Sequence, residues 1–376
     1  MVYLDYAATT PLDPEVKAGM EGVLEVYGNP SSVHAAGREA RRLLEEGRER
    51  VAAALGCRSR ELILTSGGTE ANALAILGLA LAKAPRGGHI VSTQVEHSGV
   101  LGALRNLERL GFEVTLLPPD RSGMIYPQQV AEALRPETLL VSVMAVNNEL
   151  GTVYPLREIA QICQDRGIPL HSDAVQAVGV VPSRVEDLGA DLVSIAAHKF
   201  YGPKGVGALY VRKGLELFPL LPGKQEQGYR GGTENLPGVY GMGLAAEKAM
   251  RLWEEETSRL LSLRDRLEQG LLGIPGVERN GHPSRRSPKH VNVTAKGVDG
   301  EGLLLNLDLM GVAASSGSAC AAGSLEPSHV LLAIGRSKAE AKASVRFSLG
   351  RFSTEAEVDK AVQAFSQAVA RAQAVA

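Results

Sequence analysis

Ala197-His198-Lys199-Phe200-Tyr201-Gly202-Pro203-Lys204-Gly205 stands between a short apolar run, Asp191 to Ala196, and a glycine-rich turn. A run that short, bounded by turn residues, reads as a buried strand. Lys199 falls at its end, where a charged ammonium is costly and the amine tends towards neutrality. A neutral amine is a nucleophile, and its commonest cofactor use is a Schiff base with an aldehyde. Upstream, His171-Ser172-Asp173-Ala174-Val175-Gln176 ends another apolar run on a carboxylate. That carboxylate is the partner a pyridinium nitrogen needs to stay protonated. Asp is also a favoured helix N-cap, so Asp173 alone carries two readings. With Lys199 it points to pyridoxal 5'-phosphate (PLP).

Around these two stretches, short apolar runs alternate with helical patterns through the first 215 residues or so. Expected strands are Glu61–Thr65, His89–Thr93, Phe112–Leu117, Thr138–Met144, Ile168–Ser172, Asp191–Ala196 and Gly207–Arg212. Expected helices are Arg38–Leu55, Thr69–Lys83, Ser98–Leu110, Pro127–Leu134 and Leu156–Arg166. Gly56, Gly111 and Gly167 follow three of them, as left-handed C-caps. Such alternation implies crossover units and a largely parallel sheet. From Gly241 the texture changes. One long charged helix is expected from Leu244 to Leu272, then a strand (His290–Thr294), a helix (Gly300–Leu309), a serine- and glycine-rich loop (Ala314–Ser324), a strand (Val345–Leu349) and a last helix from Thr354. The first dozen residues are too short to fold alone and are expected to pack near the site.

A chain of 376 residues with 44% hydrophobic residues can hold one large domain and a smaller one. A net charge of -2 argues against nucleic acid as the main partner. No apolar run approaches the length of a membrane span, and Met1-Val2-Tyr3-Leu4-Asp5 lacks a signal pattern, so cytosol is the expected compartment. Three cysteines, Cys57, Cys163 and Cys320, fit a reducing compartment better than a disulfide framework and offer no close metal pair.

Several further stretches carry chemistry. Thr65-Ser66-Gly67-Gly68-Thr69-Glu70 follows a strand and opens a helix, where backbone N–H groups can face a phosphate. His97 comes just past a strand, on the edge where open parallel sheets bind ligands, and can stack on a ring and move protons. Asn148, in Val146-Asn147-Asn148-Glu149, also follows a strand. Gln176 lies three residues after Asp173, so one turn presents both. His198 adjoins Lys199 and can donate to a phosphate. Arg346, a guanidinium inside a strand pattern, suits a bidentate clamp on a carboxylate. Cys320 lies among small polar residues, Ala314 to Ser324, so exposure and reactivity are expected of it. Gly231-Gly232-Thr233-Glu234-Asn235 is a loop that could reach a phosphate, across a dimer.

Together these motifs resemble the cysteine desulfurases of the NifS/IscS type, in the class V aminotransferase group of fold-type I PLP enzymes. The likeness runs from Tyr3–Pro11 through Gly28–Ser32 and the stretches above to Ser315–Pro327 and Arg346–Arg351, essentially the whole chain. It implies an α/β protein of PLP-dependent transferase fold type I. A large domain, residues 12–254, would hold a mostly parallel seven-stranded sheet flanked by helices. A smaller α+β domain, residues 1–11 and 255–376, would carry a mobile cysteine loop at about 314–326.

The resemblance also implies roles. Lys199 would hold PLP, Asp173 would pair with its ring nitrogen, His97 would stack on the ring and Gln176 would contact the ring oxygen. Asn148 would lie near ring and substrate. Gly68, Thr69 and His198 would bind the phosphate, with Thr233 reaching in from the second subunit of a homodimer. Arg346 would hold the carboxylate of L-cysteine. Lys199, Cys320 and His97 would be catalytic: Cys320 takes the sulfur as a persulfide, alanine is released, and the sulfur passes to an acceptor such as an iron–sulfur scaffold. No metal, nucleic acid or membrane is implied.

Two departures stand out. The family usually has serine where this chain has Ala196, which removes one phosphate hydrogen bond, worth about 1–3 kcal/mol with a charged acceptor. Ser194, on the same side of an alternating strand, is expected to compensate in part. The loop Pro222–Arg230 has Lys224 and Gln227 where the family favours glycine and arginine. Rival readings are another class V enzyme, such as an aminotransferase, kynureninase or selenocysteine lyase, and a non-catalytic binding platform that has lost PLP.

Overall fold

The computed structural model describes residues 1–84, 86–298, 300–316 and 326–375. The strands, in chain order, are β1 (Val2–Tyr3), β2 (Leu62–Thr65), β3 (His89–Thr93), β4 (Glu113–Leu117), β5 (Thr138–Ser142), β6 (Leu170–Asp173), β7 (Leu192–Ala196), β8 (Gly207–Val211), β9 (Val277–Asn280), β10 (His290–Ala295), β11 (Val312–Ala313) and β12 (Ser344–Ser348). Seven of them form one sheet in the order β2-β8-β7-β6-β5-β3-β4. Only β8 runs against its neighbours, pairing antiparallel with β2 and β7. The expected α/β fold with a mostly parallel seven-stranded sheet is therefore what the chain adopts.

Both faces of this sheet are covered, which is why its strands read as unbroken apolar runs. Val193 and Ile195 of β7 enter one core with Val141, Leu64 and the helix Leu236–Arg251. Leu192 joins Ile63, Ile90 and Leu140 in the core on the opposite face. Gly56 and Gly167 take the left-handed backbone expected of C-caps, at φ 68° and 64°. The helices leave and re-enter so that the carboxyl ends of β3, β5, β6 and β7 gather at one edge.

A third core lies apart from these two. Val2 and Leu4 pack there with Leu260, Leu263, Val291, Val293, Phe347 and Phe365. Its sheet is β12-β10-β9, antiparallel throughout. The single helix expected over Leu244–Leu272 is two helices, Leu236–Arg251 and Trp253–Leu272, meeting at Leu252. The bend serves two cores: Val239, Met242 and Ala246 face the seven-stranded sheet, while Leu260, Leu263 and Leu267 face the three-stranded one. The helix Pro14–Leu24 is not among the expected elements, although Asp13-Pro14 announces it. Asp13 Oδ1 accepts from Glu15 N at 2.9 Å, a side-chain N-cap.

Candidate active site

A cavity of about 570 Å³ opens at the carboxyl edge of the seven-stranded sheet. This is where ligands bind in open α/β sheets. Asp173 ends β6 and is 5% exposed at the cavity wall. Its carboxylate accepts from Asn72 Nδ2 at 2.8 Å and from Val175 N at 3.0 Å, which fixes its direction. Lys199 closes the short helical turn after β7. Its Nζ donates to the carbonyls of Ala7 and Ala8, at 2.6 and 2.8 Å. The first residues of the chain thus pack at the site, as expected.

His97 caps the helix Ser98–Arg109, and its Nδ1 accepts from Gly99 N at 3.1 Å. In the neutral ring that leaves the proton on Nε2. Gln176 Nε2 donates to Ala7 O at 2.8 Å. Arg346, 1% exposed in β12, donates from Nη1 to Asn148 O (2.7 Å) and from Nη2 to Asp5 Oδ1 (2.8 Å). His198 Nδ1 lies 3.0 Å from Thr9 Oγ1. Burial first, then the neighbouring Lys199 charge, push His198 down to about 4, so its ring is neutral at pH 7.

These residues fit PLP. The amide oxygens of Gln176 and Asn148 are buried at the cavity with no hydrogen-bond partner among the described residues. Unsatisfied polar atoms of this kind need a ligand or water. Gly67, at φ 154° with nothing within 4 Å of where a Cβ would stand, leaves open space before the helix that begins at Gly68. The chemistry of the donor set matches as well: an amine, a fixed carboxylate and a helix N-terminus share one cavity.

The cavity brings together Gly68, Thr69, His97, Asn148 and Asp173, and with them Gln176, His198, Lys199 and Arg346. Two expected residues are elsewhere. Ser194 does not compensate for Ala196. One step of two residues carries it deeper along the strand, and its hydroxyl lies 2.9 Å from His171 Nε2, fully buried. His171 in turn meets Ser142 Oγ at 2.8 Å, so Ser194 belongs to a network within the sheet. Ala196 does line the cavity, and its Cβ lies 3.6 Å from the Cβ position of Gly68, beside Val175. That wall is apolar. Thr233 borders a separate pocket of about 160 Å³ in the same chain. Its loop is tied to the helix after Gly68 by Arg230 Nε on Glu70 Oε1, at 2.8 Å. Cys320 lies outside the described residues.

The structure adds residues that the motifs did not assign. Asn72 aims Asp173. Glu96 is fully buried; its Oε1 accepts from Thr93 Oγ1 and Met144 N, each at 3.0 Å. Burial, with Asp173 adding repulsion, pushes its carboxyl up to about 8. Glu149 lines the cavity, raised by burial and hydrogen-bonded to Ser328. Lys289, 4% exposed, is pushed down to about 7, first by burial and then by the charges of Lys199 and Arg346. Glu96 and Glu149 adjoin motifs already singled out, but burial of a carboxyl leaves no trace in spacing. The two other cysteines are poor nucleophiles: burial pushes Cys57 and Cys163 up to about 12.

Comparison with known proteins agrees with this geometry. The sequence profile of the family described as Aminotransferase class-V matches residues 2–361. The chain is 50% identical over 361 residues to "Cysteine desulfurase IscS" of Dictyoglomus turgidum, covering 95% of this chain and 92% of that protein. It is 46% identical to the protein of the same name from Methanosarcina thermophila, over 98% of this chain and 92% of the other. Among solved structures, a "NIFS-LIKE PROTEIN" superposes with a TM-score of 0.92 at 34% identity, over 98% of this chain and 99% of that one. The chain belongs to the class V aminotransferase family, and its cofactor is PLP.

Proposed function

We propose that the protein is a PLP-dependent cysteine desulfurase that takes sulfur from L-cysteine, releases L-alanine and passes the sulfur on from Cys320. The carrying observation is that Lys199 and Arg346 face one cavity, as capture of an α-amino acid requires. Near-full-length similarity to proteins named for this activity supports the reaction. Cys320 supplies the acceptor thiol.

Arg346, held by Asp5 and the Asn148 carbonyl, orients the substrate carboxylate. Asn148 contacts the substrate, and Gln176 contacts the cofactor's ring oxygen. Gly68, Thr69 and His198 hold the phosphate, joined by Thr233 from the second subunit of a homodimer. When bound, PLP supplies an electron sink for charge at the substrate's α-carbon. Asp173 keeps that sink protonated at its ring nitrogen. Lys199 Nζ takes the α-proton, and His97 takes a thiol proton at Nδ1 once that nitrogen leaves its bond from Gly99 N. The Cys320 thiolate forms an S–S bond to the substrate sulfur as the substrate's Cβ–S bond breaks. The three-carbon remainder gains a proton and leaves as alanine.

An iron–sulfur scaffold is one acceptor of the kind this chemistry serves, and the cytoplasm is the compartment; no described helix is long and apolar enough to cross a membrane. We divide the chain into a large domain, residues 12–254, and a small one, residues 1–11 and 255–376; Val330, Leu331, Ile334 and Ala341 of the small one pack in the core of the large one.

Mass spectrometry after exposure to L-cysteine tests the function. One sulfur gained on Cys320, with alanine formed, is the expected result. Cys320→Ala should lose the persulfide and keep the cofactor's absorbance. Turnover to alanine and sulfide in that variant would remove Cys320 from the mechanism. Sulfide-free formation of a keto acid would instead favour an aminotransferase.

A further inference from the structure

The chain pays a conformational cost two residues after Lys199. Tyr201 has φ 67°, in the left-handed region that favours glycine. The turn imposes that backbone: Gly202 N donates to Ala197 O at 2.9 Å, closing the turn that carries Lys199. Glycine normally fills such a position after a helical turn. A tyrosine kept there must be doing something that glycine cannot. Strain of this kind persists only where surrounding contacts over-determine it.

The contacts are many. Tyr201 N donates to Thr10 Oγ1 at 2.8 Å, and Tyr201 O accepts from Asp13 N at 3.1 Å. The phenol oxygen accepts from Arg351 N at 2.5 Å. The Arg351 guanidinium lies over the Tyr201 ring, 4.1 Å from its centre, and reaches Asp13 Oδ2 at 2.7 Å. Arg351 stands just past β12, the strand that carries Arg346.

These bonds close a loop. Lys199 Nζ donates to Ala7 O, and Ala7 N donates to Ser348 Oγ at 2.8 Å. From Ser348 the chain runs to Arg351, which is bound to Tyr201, and Tyr201 leads back to Lys199. The amine and the guanidinium are thereby registered against each other through two different sheets.

We propose that Tyr201 is a positioning residue that sets the separation between the Lys199 turn and the Arg346 strand, and so the fit of α-amino acids between amine and carboxylate sites. The proposal rests on the assignment of Lys199 and Arg346 above. Tyr201 touches neither substrate nor cofactor; it acts through Arg351.

Tyr201→Gly tests this directly. It relaxes the backbone and removes the link to Arg351. Tyr201→Phe keeps the ring under the guanidinium and removes only the acceptor. In the PLP-loaded enzyme, L-alanine affinity is read from the cofactor's absorption, KM and kcat from L-cysteine turnover, and Tm from thermal melting. The expected result for Tyr201→Gly is L-alanine binding weakened and KM raised by about 10- to 100-fold, as a displacement on the order of 1 Å would give, with kcat falling less. Tyr201→Phe should show a smaller change in the same direction. A purely local structural role would lower Tm and leave KM and L-alanine affinity at their original values; that result in Tyr201→Gly overturns the proposal. If Tyr201→Gly fails to fold, unchanged L-alanine affinity in Tyr201→Phe overturns it. L-alanine binding needs no sulfur chemistry, so an original enzyme that binds alanine but never forms a persulfide would overturn the desulfurase assignment alone.

Discussion

Lys199 and Arg346 are two basic side chains brought to one cavity and held in contrasting ways. The Lys199 amine donates to the carbonyls of Ala7 and Ala8. A carbonyl accepts from a protonated or a neutral amine alike, so these contacts do not commit Lys199 to either state. Arg346 sits against the Asp5 carboxylate, inside a strand, almost without exposure. A guanidinium stays charged throughout, and the carboxylate beside it makes that charge tolerable at depth. On the roles proposed above, the difference separates two tasks. A group that must bind, release and carry a proton is held by neutral acceptors on a turn. A group that must only hold a carboxylate is fixed by an ion pair in a sheet.

That contrast can be broken at either end. Lys199→Ala should have the largest effect, lowering kcat by about 10⁴-fold or more as both the proton carrier and the cofactor attachment go. A cysteine-to-alanine assay checks it, and a rate within tenfold of the original would reassign the amine. Arg346→Lys keeps the charge and loses the fork. It should raise KM by roughly 10- to 150-fold, the equivalent of about 1.5–3 kcal/mol, with kcat less affected. Steady-state kinetics would show the split. Asn72→Ala removes the side-chain donor on Asp173 and should weaken PLP binding about tenfold, measured by equilibrium dialysis.

The smallest effect is read in stability rather than rate. The Glu96 carboxyl is raised to about 8 from its ordinary 4.5. The folded state therefore holds a proton that the unfolded state has released. Stability from this group is full below about 4.5, falls as pH rises and is lost above about 8. Glu96→Gln cannot lose that proton. Its Tm relative to the original should rise steadily from pH 5 to pH 8, and a pH-independent difference would refute the buried neutral acid.

The alternation of apolar runs was enough to read the seven-stranded sheet, because strands buried on both faces leave no other pattern. Glycines at Gly56 and Gly167 marked helix ends for the same local reason. The three-stranded sheet was only half legible. Val277–Asn280 has three polar residues in four and pairs with β10 through contacts that no local pattern announces. Site residues that end strands, Asp173 and Lys199, could be found from position alone. Asn72 could not, since it matters only through a partner 101 residues away. Ser194 misled for a related reason: alternation places it on the correct face but says nothing of depth.

The N-terminal segment carries one more consequence. Val2 and Leu4 pack with residues from the last third of the chain, and Ala7 is tied to Ser348. The carbonyls that receive the Lys199 amine are therefore set in place only once β12 has been synthesised. A ribosome-bound chain can complete the seven-stranded sheet well before that point. Assembly of the lysine's surroundings is then a late event in the life of the nascent chain, and cofactor capture in the finished geometry waits for nearly the whole protein.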